Sequence, residues 1–407
     1  MSLRISLLIK VVIASTVVLS GCSAPVVVSP TEPIALPTKT SIPPTPTINP
    51  TPTEPPYFVD ATVWSGELQV PILIYHFFIP DHFGPTTAMK MQLSEFENEL
   101  QSLYDAGFSL VSLMDWITGS FTVPQGRRPL ILTIDDAWHG NQLFIQDDGS
   151  PSALSGLGIL WEFYESHPDF GFNAAVFYIM NDKLYPDTQV VDRFLLINKE
   201  DDKWKDKFTE TLVWAIENGV EVYNHTFNHF VTWPTHSDKQ IQSELWENDV
   251  LIRYFIERNG RSDLISELGN IIALPEGKWP VTQSGKSTVI NYKNPEGKPV
   301  IAVMEAYNMA DVRFTPSVFS AEFNAFAIPR ITASPYFVNY IIDHKDEIPT
   351  AMSCQVGPIS KELSTDLDAL NSAIGETIQT GRCAEGIYNI NGNVFIAKDG
   401  TVVLYAP

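Results

Sequence analysis

Between residues 70 and 331, short apolar runs alternate with longer segments of helical periodicity, and this alternation restricts the fold more than any other feature of the chain. Strand-like runs fall at 70–78, 109–113, 129–132, 173–180, 219–223, 271–274, 300–304 and 325–331. The helices between them carry their own punctuation. Ser94 and Glu97 have the spacing of a capping box that opens a helix through Ala106, stopped by Gly107. Segments 157–165 and 204–217 also read as helices, the second closed by Gly219. A helix over 238–258 places Ile241, Leu245, Ile252 and Phe255 on one face. A strand that returns to its sheet through a helix runs parallel to its predecessor. The pattern therefore calls for an α/β fold with a mostly parallel sheet, which seven or eight such units would close as a barrel.

Two polar runs sit where such a sheet exposes its chemistry. Thr133-Ile134-Asp135-Asp136-Ala137 follows the run 129–132, and His225-Thr226-Phe227-Asn228-His229 follows 219–223. Both are expected at strand C-terminal ends, where barrels and open α/β sheets place their sites. One carboxylate and two imidazoles form a common hydrolytic zinc set with a position open for water, and the neighbouring Asp is then available as a base. Alone, an Asp pair often caps a helix, and two His four apart often line a solvated face. Their order, with a strand before each, makes the combination informative.

The ends of the chain have a different character. Residues 1–21 carry Arg4 and Lys10 ahead of the apolar run 11–19, the pattern of a secretory signal too short to span a bilayer stably. The signal ends in Leu19-Ser20-Gly21-Cys22, which resembles a bacterial lipobox, so Cys22 is the expected acylated N-terminus and the lipid membrane an expected partner. Residues 22–56 are rich in Pro and Thr and read as an extended tether. At about 3.1 Å per residue it would reach on the order of 100 Å. This places the protein outside the cytoplasm, anchored at the cell surface or in the periplasm. Export leaves Cys354 and Cys383 as a pair in an oxidising compartment, where a disulfide is expected. The 407 residues, 44% hydrophobic, suffice for one large domain over 57–347. Residues 348–407 hold the two Cys, a helical stretch at 363–378 and the hairpin signals Asn391-Gly392 and Asp399-Gly400; they read as a small appended subdomain. A net charge of −22 argues against nucleic acid as a partner.

Five ordered segments together resemble the polysaccharide deacetylases of carbohydrate esterase family four. They are Pro71-Ile72-Leu73-Ile74-Tyr75-His76, Leu132-Thr133-Ile134-Asp135-Asp136-Ala137, Phe172-Asn173-Ala174-Ala175-Val176-Phe177-Tyr178, the stretch from Gly219 to His229, and Ala327-Ile328-Pro329-Arg330-Ile331. The resemblance implies a distorted, incomplete (β/α) barrel. It also implies removal of N-acetyl groups from an N-acetylglucosamine-containing envelope or extracellular polysaccharide, with one bound divalent metal. Carried over by position, Asp136, His225 and His229 match the metal ligands and Asp135 the general base. Zinc is the first expectation, and an Asp/His₂ set also accepts cobalt or nickel. Thr226 or Asn228 is expected to orient an imidazole. Arg330 is expected to pair with Asp135. Much of the family supplies the general acid from a Leu-x-His segment near the domain's end, and His344 is no good equivalent. A branch acting on exopolysaccharide supplies it from a Tyr-His pair on the first strand, so His76 is the candidate, with His139 next.

Three departures stand out. Ala137 replaces the usual Gly, which would strain the turn if positive φ is needed there. Asn173-Ala174-Ala175 replaces a more usual Ala-Thr. Glu276, in Leu274-Pro275-Glu276-Gly277, stands where the family has an aromatic residue. Its backbone N–H could still serve an oxyanion, but a groove wall is lost. The rival reading is accordingly a catalytically impaired lipoprotein that keeps the fold to bind polysaccharide; a third is a metal-dependent hydrolase acting on another glycosidic or C–N bond. No protein partner is expected.

Overall fold

The computed structural model describes residues 55–137, 140–181, 203–306 and 314–405. The signal segment, Cys22, the tether and His139 lie outside the described residues. Among the described residues, no helix is long and apolar enough to cross a membrane.

The chain begins with β1 (Tyr57–Trp64), then β2 (Ile72–Tyr75), β3 (Phe77–Ile79) and β4 (Lys90–Gln92). Helix α1 (Leu93–Asp105) leads to β5 (Phe108–Leu110), α2 (Leu113–Thr118) and the long β6 (Arg128–Ala137). Next come α3 (Gly156–Ser166), β7 (Ala174–Tyr178), α4 (Lys203–Glu217), β8 (Val220–Asn224), α5 (Asp238–Arg258) and β9 (Ile271–Ala273). The remainder is α6 (Gln283–Ile290), β10 (Ala302–Met304), β11 (Ile331–Thr332), α7 (Pro335–Asp343), β12 (Met352–Ile359), α8 (Leu367–Gln379), β13 (Gly386–Ile390), β14 (Asn393–Lys398) and β15 (Thr401–Leu404).

The α/β reading holds. Eight strands form a parallel sheet in the order β10-β9-β8-β7-β6-β2-β11, with β5 pairing along the first residues of β6. The sheet curls but does not close through a full strand. Among the described residues, one parallel bridge, Met304 to Ile328, spans the gap between β10 and β11, and of the expected 325–331 run only Ile331 lies in a strand, β11. This is the incomplete barrel. Side chains alternate across its wall as a two-residue period requires. Leu132, Ile134, Val176 and Val222 pack outward beneath Phe96, Leu160, Phe208 and Phe255 of the surrounding helices. Ile131, Ala175, Phe177, Tyr223 and Ala273 belong to a second cluster that fills the interior.

Local signals were realised unevenly. Helix α5 keeps its expected bounds and has a complete capping box: Gln240 N–H donates to Ser237 Oγ, and Ser237 N–H donates to Gln240 Oε1. The expected box at Ser94 is absent. Helix α1 starts at Leu93 with Gln92 in the cap position and no side-chain cap bond, because Ser94 N–H donates instead to Asp81 Oδ1. The run 109–113 is strand only to Leu110; Ser112 then caps α2 by accepting from Asp115 N–H.

The C-terminal segment shares a sheet with the start of the domain. The antiparallel order is β12-β1-β13-β14-β15, so β1 lies between two strands from the far end of the chain. Helix α8 covers one face through Leu370, Ala373 and Ile374. From this sheet Trp64, Ile387 and Val394 join the cluster that includes the barrel interior. Cys354 and Cys383 are disulfide-bonded, with Cα atoms 6.1 Å apart. Both hairpin turns have positive φ at their two central residues, Asn391 (52°) with Gly392 (84°) and Asp399 (51°) with Gly400 (73°). That is the pairing a two-residue primed turn demands.

Candidate metal centre

Strand β6 carries its side chains in strict alternation until a register shift between Ile134 and Ala137. Within that bulge Asp136 adopts φ 52°. A bulge re-aims side chains at a strand end, and here Asp135 and Asp136 both approach His225. The strain expected at Ala137 is therefore not found: the left-handed residue is Asp136, and Ala137 pairs with Tyr178 and is buried. Beside it, β8 ends at Asn224 and delivers His225, and the next turn brings back His229.

The ligand atoms converge. His225 Nε2 lies 3.4 Å from Asp136 Oδ1, and His229 Nε2 lies 3.6 Å from the same oxygen. The three side chains offer ligand atoms within 4.8 Å of one another. Metal–ligand bonds of 2.0–2.2 Å in a tetrahedron would separate ligand atoms by ~3.3–3.6 Å, so the spacing suits a first-row divalent ion. The donor set agrees. His225 Nδ1 lies 2.9 Å from the Ala273 carbonyl, which can only accept, so Nδ1 carries the proton of the neutral ring and its Nε2 lone pair, the ligand atom, is left facing the carboxylates. Acceptor facing acceptor is the arrangement a cation resolves. The residues fit the group.

Asp135 is held differently. Arg330, fully buried, donates Nη1 to Oδ1 at 2.6 Å and Nη2 to Oδ2 at 2.7 Å, a bidentate pair. Arg330 is itself fixed by the Glu305 carbonyl, by Thr133 Oγ1 and by the Phe177 ring, 5.1 Å from its guanidinium carbon. Burial pushes the Asp135 carboxyl up, yet Arg330 and His225 together hold it well below the usual carboxylate range. Asp136 is lowered against burial by its two His neighbours. His225 is raised, the two carboxylates outweighing burial, while His229 is lowered by burial and by His225.

His76 and Glu276 stand further out. His76 is half-buried and feels the charges of Asp135, Asp136, His225 and Arg330; burial prevails and lowers its pKa. Its Nδ1 is buried with no hydrogen-bond partner among the described residues. Its neighbour Tyr75 points away, donating to Glu99 Oε2 of α1 at 2.9 Å. Glu276 follows β9 on a turn with φ 54°; its carboxylate lies 3.7 Å from Lys278 Nζ and acts electrostatically on His229. Gly277 (φ 63°) makes that turn possible, because a Cβ there would meet the Ala306 nitrogen at 2.3 Å. His344 ends α7 and donates Nδ1–H to the Tyr340 carbonyl, 2.8 Å away.

Among the described residues, neither Thr226 nor Asn228 hydrogen-bonds an imidazole nitrogen. Thr226 Oγ1 accepts from His229 N–H, and Asn228 bonds Glu244. The imidazole partner is a backbone carbonyl, Ala273, and a main-chain atom leaves no mark in the sequence. Thr133 and Phe177 were visible only as members of a strand; their alternation with the outward residues was the available signal.

No protein-family model and no curated protein matches the chain. Several solved structures do. Streptococcus pyogenes deacetylase PplD in complex with acetate is 14% identical, covering 70% of this chain and 99% of that one, with a TM-score of 0.42. IcaB from Ammonifex degensii is 14% identical over 68% and 97% of the two chains, with a TM-score of 0.43. A de-N-acetylase from Aggregatibacter actinomycetemcomitans is 11% identical over 67% and 99%, with a TM-score of 0.40.

Proposed function

We propose that this protein is a metal-dependent hydrolase that removes N-acetyl groups from an N-acetylglucosamine-containing envelope or extracellular polysaccharide. The observation that carries the reading is the Asp136, His225 and His229 triangle beside a carboxylate, Asp135, that is locked by Arg330 and takes no part in that triangle. An amide is a poor electrophile, and a divalent ion held by the three ligands would supply what it lacks, by polarising the carbonyl and acidifying water.

The residues of the chain do the rest. Arg330 keeps the Asp135 carboxylate ionised, and each of its oxygens has a second lone pair beyond that bond with which to take the proton of the attacking water. The C–O bond forms, the C–N bond breaks, and the amine leaves with a proton from His76. Burial favours neutral His76, so its acid form is populated on the acid side of the ordinary histidine range. The rate should fall as pH rises through that lowered value. The Glu276 N–H is assigned to the oxyanion. Cys22, acylated, would hold the enzyme at the membrane, with residues 22–56 carrying it toward its polymer.

The test is acetate release from defined N-acetylglucosamine oligomers by the purified domain, with and without a chelator, alongside metal analysis. About one ion per chain, acetate release that the chelator abolishes, loss of the ion in His225→Ala, and Asp135→Asn that keeps the ion but loses at least ~10²-fold in rate are expected. An ion that stays bound in His225→Ala overturns the ligand assignment. A chain that binds the oligomers yet releases no acetate is a binding protein, the reading that Glu276 favours.

A further inference from the structure

The segment that bears both imidazoles is conformationally costly. Thr226 (φ 64°) and His229 (φ 48°) both occupy the left-handed region, although neither is Gly. Such residues are strained and persist only where their surroundings hold them. The end of β7 contributes, with the Tyr178 carbonyl accepting from His225 N–H and Asn181 N–H donating to the Phe227 carbonyl, and one helix supplies much of the rest. From α5, the Glu244 carbonyl accepts from Phe227 N–H at 3.0 Å, and the Leu245 carbonyl accepts from Asn224 Nδ2 at 2.8 Å. Asn248, fully buried, donates to the Tyr178 carbonyl and to Asn224 Oδ1, and accepts from Met180 N–H. Asn224 Oδ1 in turn accepts from Thr226 N–H at 2.8 Å. Most directly, the Glu244 carboxylate takes Asn228 from two sides, accepting its N–H on Oε2 at 2.8 Å and its Nδ2 on Oε1 at 2.6 Å.

We propose that Glu244 is a positioning residue for the metal centre: with Asn248 it clamps the 224–229 segment and so presets the distance between the two imidazoles. This rests on the reading of Asp136, His225 and His229 as ligands. Glu244 lies on α5, behind the loop, and is buried, so its carboxylate reaches the ligands through Asn228, the residue before His229. A carboxylate is the one side chain that offers two acceptors to the two donors of Asn228. Gln offers one acceptor and turns its own NH₂ against the other donor. Outer-shell partners of this kind commonly govern metal affinity by 10–100-fold.

The experiment titrates zinc, and separately cobalt, into metal-free protein by chelator competition, and follows thermal unfolding of the same metal-free samples. The set is the parent, Glu244→Gln, Glu244→Ala, Asn228→Ala and Ile256→Val. The last trims a buried residue further along the same helix, away from the loop. Glu244→Ala should bind at least ~10-fold more weakly than the parent, with Glu244→Gln in between. Ile256→Val should lose unfolding temperature with unchanged affinity. If Glu244→Ala does not fold, Glu244→Gln and Asn228→Ala decide. Parent-like affinity in the folded Glu244 and Asn228 variants overturns the clamp alone. So does an affinity loss in Ile256→Val that matches theirs, since helix stability would then account for it. A parent that binds neither ion overturns the metal-centre reading itself.

Discussion

Glu99 shows how much a single buried carboxyl decides in this molecule. It sits on α1 over β2, nearly inaccessible, with one oxygen bonded to Tyr75. Burial pushes it up to about 7, from 4.5. The unfolded chain releases this proton near the ordinary value and the native chain keeps it until about 7. Stability is therefore full below the unfolded value and declines as pH rises toward the native one. About 2.5 units at 1.36 kcal/mol each makes the total on the order of 3 kcal/mol. Urea unfolding at about pH 5 and about pH 8 should show Glu99→Gln gaining on the parent by roughly 2–3 kcal/mol between the two conditions. An equal difference at both would remove Glu99 as the cause. Asp135 goes the opposite way in an equally buried setting, and the reason is a partner: Arg330 lies against both its oxygens. Composition distinguishes none of this. The same residue class is driven up in one place and down in another by what lies within 3 Å.

Among the elements, helix boundaries provide the sharpest comparison between local pattern and structure. Ser94 with Glu97 and Ser237 with Gln240 have the same spacing, and only the second pair forms a box. The difference is tertiary. Asp81 takes the Ser94 N–H, and α1 begins two residues earlier than its own residues call for. Ser237→Ala should then cost about 1 kcal/mol in unfolding free energy, the ordinary worth of such a cap, and Ser94→Ala close to nothing. Equal losses would mean that Ser94 caps α1 in solution. The bulge in β6 has a similar origin. The run up to Ile134 is legible as a buried strand, but the left-handed Asp136 that turns two successive carboxylates toward one histidine has no local signal.

For the molecule as a whole, the informative pairing is β1 between β12 and β13. Residues 57–64 are contiguous with the barrel in sequence, and β1 draws both its strand neighbours from the far end of the chain. Ending the chain after residue 347 removes both neighbours of β1 and uncovers Trp64, which packs beside Phe121 at 5.3 Å between centroids. Such a truncation should lose cooperative unfolding and become sensitive to protease, checked by circular dichroism and limited digestion against the chain from residue 55. A truncated form with the parent's unfolding temperature would show that the segment is dispensable.

Read in order, the residues alone determine the class of fold and the nature of the candidate site. Alternating β-branched runs, glycine-stopped helices and Asn-Gly and Asp-Gly turns are local, so each one states its own element. The Asp-Asp and His-x-x-x-His runs announce themselves because strand ends are where a parallel sheet exposes side chains. What the tertiary structure decides is everything that depends on residues meeting across long separations. Arg330 reaches Asp135 over 195 residues, the Ala273 carbonyl fixes the His225 tautomer over 48, and β1 finds its partners in a distant tail. Backbone carbonyls, bulges and register have no residue code of their own. They exist only once packing has chosen which faces turn inward, and the geometry of the candidate site is made of them.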